Sequence, residues 1–245
     1  MVHSFLLIGQ SNMAGRGFVE QAVPVDNGHI YILRNGRWQK MFRPVCPDRV
    51  TAGVCLAESF AEAYARDNGV DVGLIPCADG GTTLNQWMPG GPLYDNAVFT
   101  AKLAMRQSTL AGVLWHQGES DCSDQNSAAY KQKLEKIIAA FQKDLNLENI
   151  PFIVGGLGDF MGKFYNNDNY LIVNKALEDI AAEQEGIGFV SAKGLTPNAD
   201  NLHFCSASLY DFGLRYYEEF KRINKNSNII NTVNANLERS EMELL

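Results

Sequence analysis

Five short apolar runs, each closing on a glycine or a polar turn, limit what this 245-residue chain can fold into. They lie at residues 5–8, 72–77, 111–115, 152–154 and 187–190. The runs are continuous rather than alternating, the pattern of strands covered on both faces. Helical spacing fills the intervals. Leu56, Phe60 and Tyr64 step by four, and Tyr130, Leu134, Ile137, Ile138, Phe141 and Leu145 follow a 3.6-residue period. So do Val173, Leu177, Ile180 and Ala181, and then Leu209, Phe212, Tyr216, Phe220 and Ile223. Strands alternating with helices predict an α/β fold, a parallel sheet of about five strands with helices on both faces.

One segment breaks the rhythm. Residues 29–33, then Asn35-Gly36, then 38–42 read as a β-hairpin with a type I′ turn, inserted after the first strand. Neither an internal repeat nor a low-complexity linker divides the chain, so residues 1–223 are expected to form one domain. From 224 to 245 the sequence is a polar, asparagine-rich tail, with 238–245 expected either to pack as a short helix or to fray.

Hydrophobic residues make up 46% and charged residues 20%, which excludes a disordered chain and a coiled coil. A formal charge of -7 argues against a nucleic-acid or anionic-membrane partner. Five widely spaced cysteines, an odd count without C-x-x-C, point to buried free thiols rather than disulfides or zinc. The first apolar run is too short for a signal peptide, and no stretch approaches the length of a membrane span. A cytoplasmic protein is expected.

In open α/β sheets, ligands bind beyond the carboxyl ends of the strands. The segments after the runs are polar and glycine-rich: Gly9-Gln10-Ser11-Asn12-Met13-Ala14-Gly15, then Ala78-Asp79-Gly80-Gly81-Thr82, then His116-Gln117-Gly118-Glu119-Ser120-Asp121, and finally Asp200-Asn201-Leu202-His203. Ser11 at a strand-to-helix turn can present a nucleophilic hydroxyl and its own N–H; an N-cap serine fits the same position. A phosphate cradle fits less well, because no lysine precedes Trp38.

A hydroxyl nucleophile needs a base, and the chain has four histidines. His3 falls at the wrong end of the sheet and His29 opens the hairpin, leaving His116 and His203. Asp200, three residues before His203, is placed to hold its Nδ1–H and free Nε2 as base. Glu119 is a second candidate for that carboxylate. The Gln117 amide and the Gly80 and Gly81 backbone N–H groups are candidate oxyanion donors. A metal held by His116, Glu119 and Asp121 is a rival use, but no second histidine stands at ligand spacing, and no metal is expected. Asn12, His116 and Trp87 are candidate substrate contacts. Trp38, Trp115 and Phe160 are further aromatics for stacking on a sugar, with core packing the favoured role of Trp115.

Taken together, the Gly9–Gly15 block, Gly80-Gly81-Thr82 with Trp87, the His116–Asp121 block and Asp200-x-x-His203 resemble the SGNH-type hydrolases. The resemblance is to the sialate O-acetylesterase and carbohydrate esterase family 6 group, including acetylxylan-esterase-related proteins. It spans residues 2–222. It implies a three-layer α/β/α, flavodoxin-like fold and cofactor-free removal of O-acetyl groups from sugars. It also implies Ser11 as nucleophile, His203 as base, Asp200 or Glu119 as the acid, and Ser11, Gln117 and Gly81 or Gly80 as the oxyanion hole. Secreted members of the group carry signal peptides, so without one an acetylated sugar or short oligosaccharide is the expected substrate rather than polymeric xylan. A sialate or short-chain acyl esterase, an inactive carbohydrate-binding protein and, more distantly, a nucleotide-binding flavodoxin-like protein are the alternatives.

Overall fold

The structure is a computed structural model that describes residues 2–147 and 150–224. Among these residues the sequence builds seven strands: β1 (Val2–Gly9), β2 (Ile30–Arg34), β3 (Arg37–Lys40), β4 (Asp71–Pro76), β5 (Thr109–His116), β6 (Phe152–Gly155) and β7 (Ile187–Val190). Seven helices join them: α1 (Ser11–Ala14), α2 (Ala57–Asn68), α3 (Pro92–Ala104), α4 (Asp124–Asp144), α5 (Met161–Tyr165), α6 (Asn169–Glu183) and α7 (Ser206–Asn224). One sheet runs β3-β2-β4-β1-β5-β6-β7. Its strands are parallel except β3, which pairs antiparallel with β2.

Each of the five apolar runs is a strand. The expected count of about five is corrected to seven, because the hairpin is part of the sheet. Asn35 and Gly36 take positive φ of 49° and 74°, as a type I′ turn requires. β2 is itself an apolar run, and it buries its residues by pairing in parallel with β4, Ile30 opposite Val72. The pattern also hid α3. Its buried face is Tyr94, Ala97, Ala101 and Ala104, mostly side chains too small to give a strong periodic signal. Pro92 after Gly90-Gly91 is the local start signal.

The three layers follow from β1. Leu6 and Ile8 face one core with the inner faces of α3, α4 and α6, whereas Phe5 and Leu7 face the other with α2 and α7. Phe5 meets Phe60 and Tyr64 edge-on, ring centroids 4.8 Å away in both cases, with Phe220 closing the cluster. Truncating a fully buried aromatic at such a node typically costs about 3–5 kcal/mol. Among the described residues no helix is long and apolar enough to cross a membrane. Residues 238–245, expected either to pack as a short helix or to fray, lie outside the described residues.

Candidate active site

The site lies at the carboxyl ends of β1 and β5. Gly9 ends β1 at φ 128°, and a Cβ there would stand 2.1 Å from the His116 carbonyl oxygen, so only glycine lets the two strand ends approach. The next N–H, that of Gln10, donates to that same carbonyl at 2.9 Å. Gln10 caps α1, which makes Ser11 the first helical residue and removes the N-cap reading of the serine. The N–H groups of Met13 and Ala14 close onto the Gln10 carbonyl. Those of Ser11 and Asn12 have no acceptor among the described residues.

Ser11 Oγ stands 3.0 Å from His203 Nε2, across 192 positions of chain. His203 Nδ1 is 2.7 Å from Asp200 Oδ2. A carboxylate only accepts, so Nδ1 carries the proton and Nε2 is left to accept from the serine hydroxyl. Asp200 Oδ1 also takes the backbone N–H groups of Leu202 and His203 at 2.9 and 3.0 Å. Partial burial alone would raise the Asp200 carboxyl. These hydrogen bonds and the imidazole outweigh it and hold the group below its usual range.

Glu119 is not beside His203. It lies fully buried in the turn after β5, where Oε1 accepts from Asn12 Nδ2 and from His116 Nε2 at 3.1 Å. Burial pushes its carboxyl up, but His116 and Asn12 prevail and the net shift is downward. As an orienting carboxylate in contact with the base, Glu119 is therefore corrected in favour of Asp200.

Further expectations are corrected by burial. Gln117 is fully buried, and its amide Nε2 donates to Asp121 Oδ2 (2.6 Å), Thr82 O (2.9 Å) and Gln10 Oε1 (3.2 Å), leaving no N–H for an oxyanion. His116 is closed off between Glu119, the Tyr216 hydroxyl and the rings of Phe204 and Phe212, out of reach of substrate. Trp87 has no exposed surface, donates Nε1–H to Thr82 Oγ1 and packs edge-on against Trp115. Trp115 and Trp38 are core residues too. Asn12 is buried as well, with both ends of its carboxamide bonded to protein. Phe160 is half-buried against Phe204.

The loop after β4 reaches the serine. A Cβ on Gly80 would lie 3.4 Å from Ser11 Cβ. The Gly80 N–H donates to Asp48 Oδ2 at 2.8 Å, whereas the Gly81 N–H has no acceptor among the described residues. Asp48 pairs with Arg16 through two hydrogen bonds of 3.0 and 2.7 Å, and Arg49 donates to the Gly80 carbonyl at 3.1 Å. Sequence reasoning missed this Arg16–Asp48 support: the two residues are 32 positions apart and form no motif. It also missed Gln10, whose Oε1 takes the Ser120 N–H at 3.2 Å as well as the Gln117 amide. Among the described residues no group of three or more His, Cys, Asp or Glu side chains is disposed to hold a metal ion.

Comparison with known proteins bears on the family and the fold. Residues 1–222 match the family model described as carbohydrate esterase, sialic acid-specific acetylesterase. A protein of Arabidopsis thaliana, described as a probable carbohydrate esterase, is 31% identical over 234 residues, covering 86% of each chain. The solved structure of that plant protein superposes with a TM-score of 0.81 at 27% identity, over 90% of this chain and 98% of its own. A carbohydrate acetylesterase from Xanthomonas citri shares the fold, with a TM-score of 0.68 at 16% identity, over 91% of this chain and 56% of its own.

Proposed function

Because the chain belongs to the carbohydrate esterase, sialic acid-specific acetylesterase family and is a carboxylic ester hydrolase, we propose that it removes O-acetyl groups from sugars or short oligosaccharides through an acetyl-serine intermediate. The observation that carries this reading is the hydrogen-bonded chain Ser11–His203–Asp200, 3.0 and 2.7 Å per link, with the backbone N–H groups of Ser11 and Gly81 left without an acceptor among the described residues.

In this mechanism Ser11 Oγ attacks the acetyl carbonyl carbon while His203 Nε2 takes its proton. The resulting oxyanion is held by the N–H groups of Ser11 and Gly81, since Gly80 already serves Asp48. The C–O bond to the sugar breaks, and the imidazolium returns the proton to the departing sugar oxygen. Water, deprotonated by His203, attacks the acetyl-serine, and acetate leaves with Ser11 restored. Asp200 stabilises the imidazolium in both halves.

The test uses an aryl acetate and then a panel of acetylated sugars, sialates among them, against longer acyl esters. Ser11→Ala is expected to abolish turnover, and a covalent serine probe is expected to label Ser11 in the unaltered protein. Full activity in Ser11→Ala would end the serine mechanism. Asp200→Asn is expected to lower kcat by roughly 10²–10⁴-fold, more than Glu119→Gln does. Faster turnover of long acyl esters than of acetylated sugars would move the assignment to a broader acyl esterase.

A further inference from the structure

Asp200 fixes the His203 ring within its own turn, but that turn must also be held at the right distance from Ser11. Asn12, the residue after the nucleophile, makes the nearest polar connection. Its Nδ2 donates to Leu202 O at 3.2 Å, and its Oδ1 accepts the Phe204 N–H at 3.1 Å. Leu202 and Phe204 flank His203 on either side. A second connection lies further out, from Asn198 Nδ2 to Arg16 O at 3.0 Å.

A carboxamide has two faces, and only one orientation suits this place. Turned over, Asn12 would set its oxygen against the Leu202 carbonyl and its NH₂ against the Phe204 N–H. The backbone of Leu202 and Phe204 thus selects one orientation, and Glu119 reinforces it. Its acceptor Oε1, 2.5 Å from Asn12 Nδ2, demands the NH₂. His116 Nε2 in turn holds Glu119 Oε1, at 3.1 Å. His116, Glu119, Asn12 and Phe204 are buried, and Leu202 is half-buried.

We propose that Asn12 is a positioning residue that sets the Ser11–His203 distance, and that Glu119 acts on the site through Asn12 rather than as the carboxylate of the base. This rests on the serine-esterase reading and extends it by giving the buried acid of the His116–Asp121 block a task distinct from that of Asp200.

The test is a double-mutant cycle on an aryl acetate with Asn12→Ala, Glu119→Gln and the pair combined. Turnover is expressed per active site, counted by exhaustive labelling with the covalent serine probe. Misplacing the base by a fraction of an ångström should lower kcat for Asn12→Ala on the order of 10–10²-fold. KM should stay within about twofold, because ground-state binding is untouched. Glu119→Gln should lose less, and the double variant should be no slower than Asn12→Ala alone. A double variant whose loss equals the product of the two single losses would overturn the proposal, as would unchanged turnover per labelled site in Asn12→Ala. If near-UV circular dichroism shows Asn12→Ala unfolded, Asn12→Ser takes its place in the cycle, read by the same criteria. Failure of the underlying chemistry looks different: Ser11→Ala stays active and the probe finds no serine.

Discussion

Asp48 Oδ2 takes the backbone N–H of Gly80 at 2.8 Å while the same oxygen pairs with Arg16. The loop that brings Gly80 up to the serine is thus anchored on a buried ion pair, its side chains only 7% and 4% exposed. Asp48→Ala leaves the buried Arg16 charge without a carboxylate, with only the Gly15 carbonyl still accepting from it. A loss of about 3–5 kcal/mol in unfolding free energy is expected, read from urea midpoints, together with slower aryl-acetate turnover in the fraction still folded. Unchanged stability and turnover would show that the loop holds itself.

Glu119 offers a pH signature. Its carboxyl sits below the usual 4.5 when folded. A depressed acid adds stability that is complete above the unfolded value and fades as pH falls through the folded one. The stability difference between the unaltered protein and Glu119→Gln should therefore hold steady above about pH 5 and shrink below pH 4.5. Denaturant titrations from pH 6 to pH 3 measure it, and a difference that widens on acidification contradicts the assigned direction.

Cysteine chemistry should single out one thiol. Burial pushes Cys77 and Cys122 up to about 12, and Cys46 and Cys55 rise too. Cys205 is half-buried, and hydrogen bonds with Ser208 and Thr196 outweigh its burial and bring it below the usual thiol range. Iodoacetamide on the native protein at pH 8 should modify Cys205 first, by peptide mass mapping, and slow turnover because it lies two residues from His203. Equal labelling of a buried cysteine would refute the ordering.

Trp87 separates packing from sugar stacking. Trp87→Phe removes buried ring volume and the bond to Thr82 Oγ1. A stability loss of about 1–3 kcal/mol is expected, with KM for acetylated sugars unchanged. A several-fold rise in KM at unaltered stability would return the ring to the substrate.

The strands were legible because a parallel sheet covered on both faces leaves unbroken apolar runs, and the four loops were legible because they follow those runs. Ser11, His203 and Asp200 came together as their placement at strand ends suggested. What failed was burial. Residue type told that Gln117, His116 and Asn12 can form polar contacts, but not that neighbours 35 to 192 positions away already occupy them. Arg16 with Asp48 left no trace at all, since an ion pair across two loops follows no period. β2 was read as part of an insertion because its turn signal was stronger than its apolar run, and α3 was hidden by its alanines.

The turn carrying Asp200 and His203 is closed on itself, by the Pro197–Phe204 bridge and by the aspartate's grip on two backbone N–H groups and the ring. Acid and base therefore travel as a single rigid cartridge. Any tilt of that cartridge leaves their mutual link untouched and falls wholly on the gap to Ser11. Drift among relatives, or damage from distant substitutions, should register as a poorly activated hydroxyl long before the imidazole loses its carboxylate.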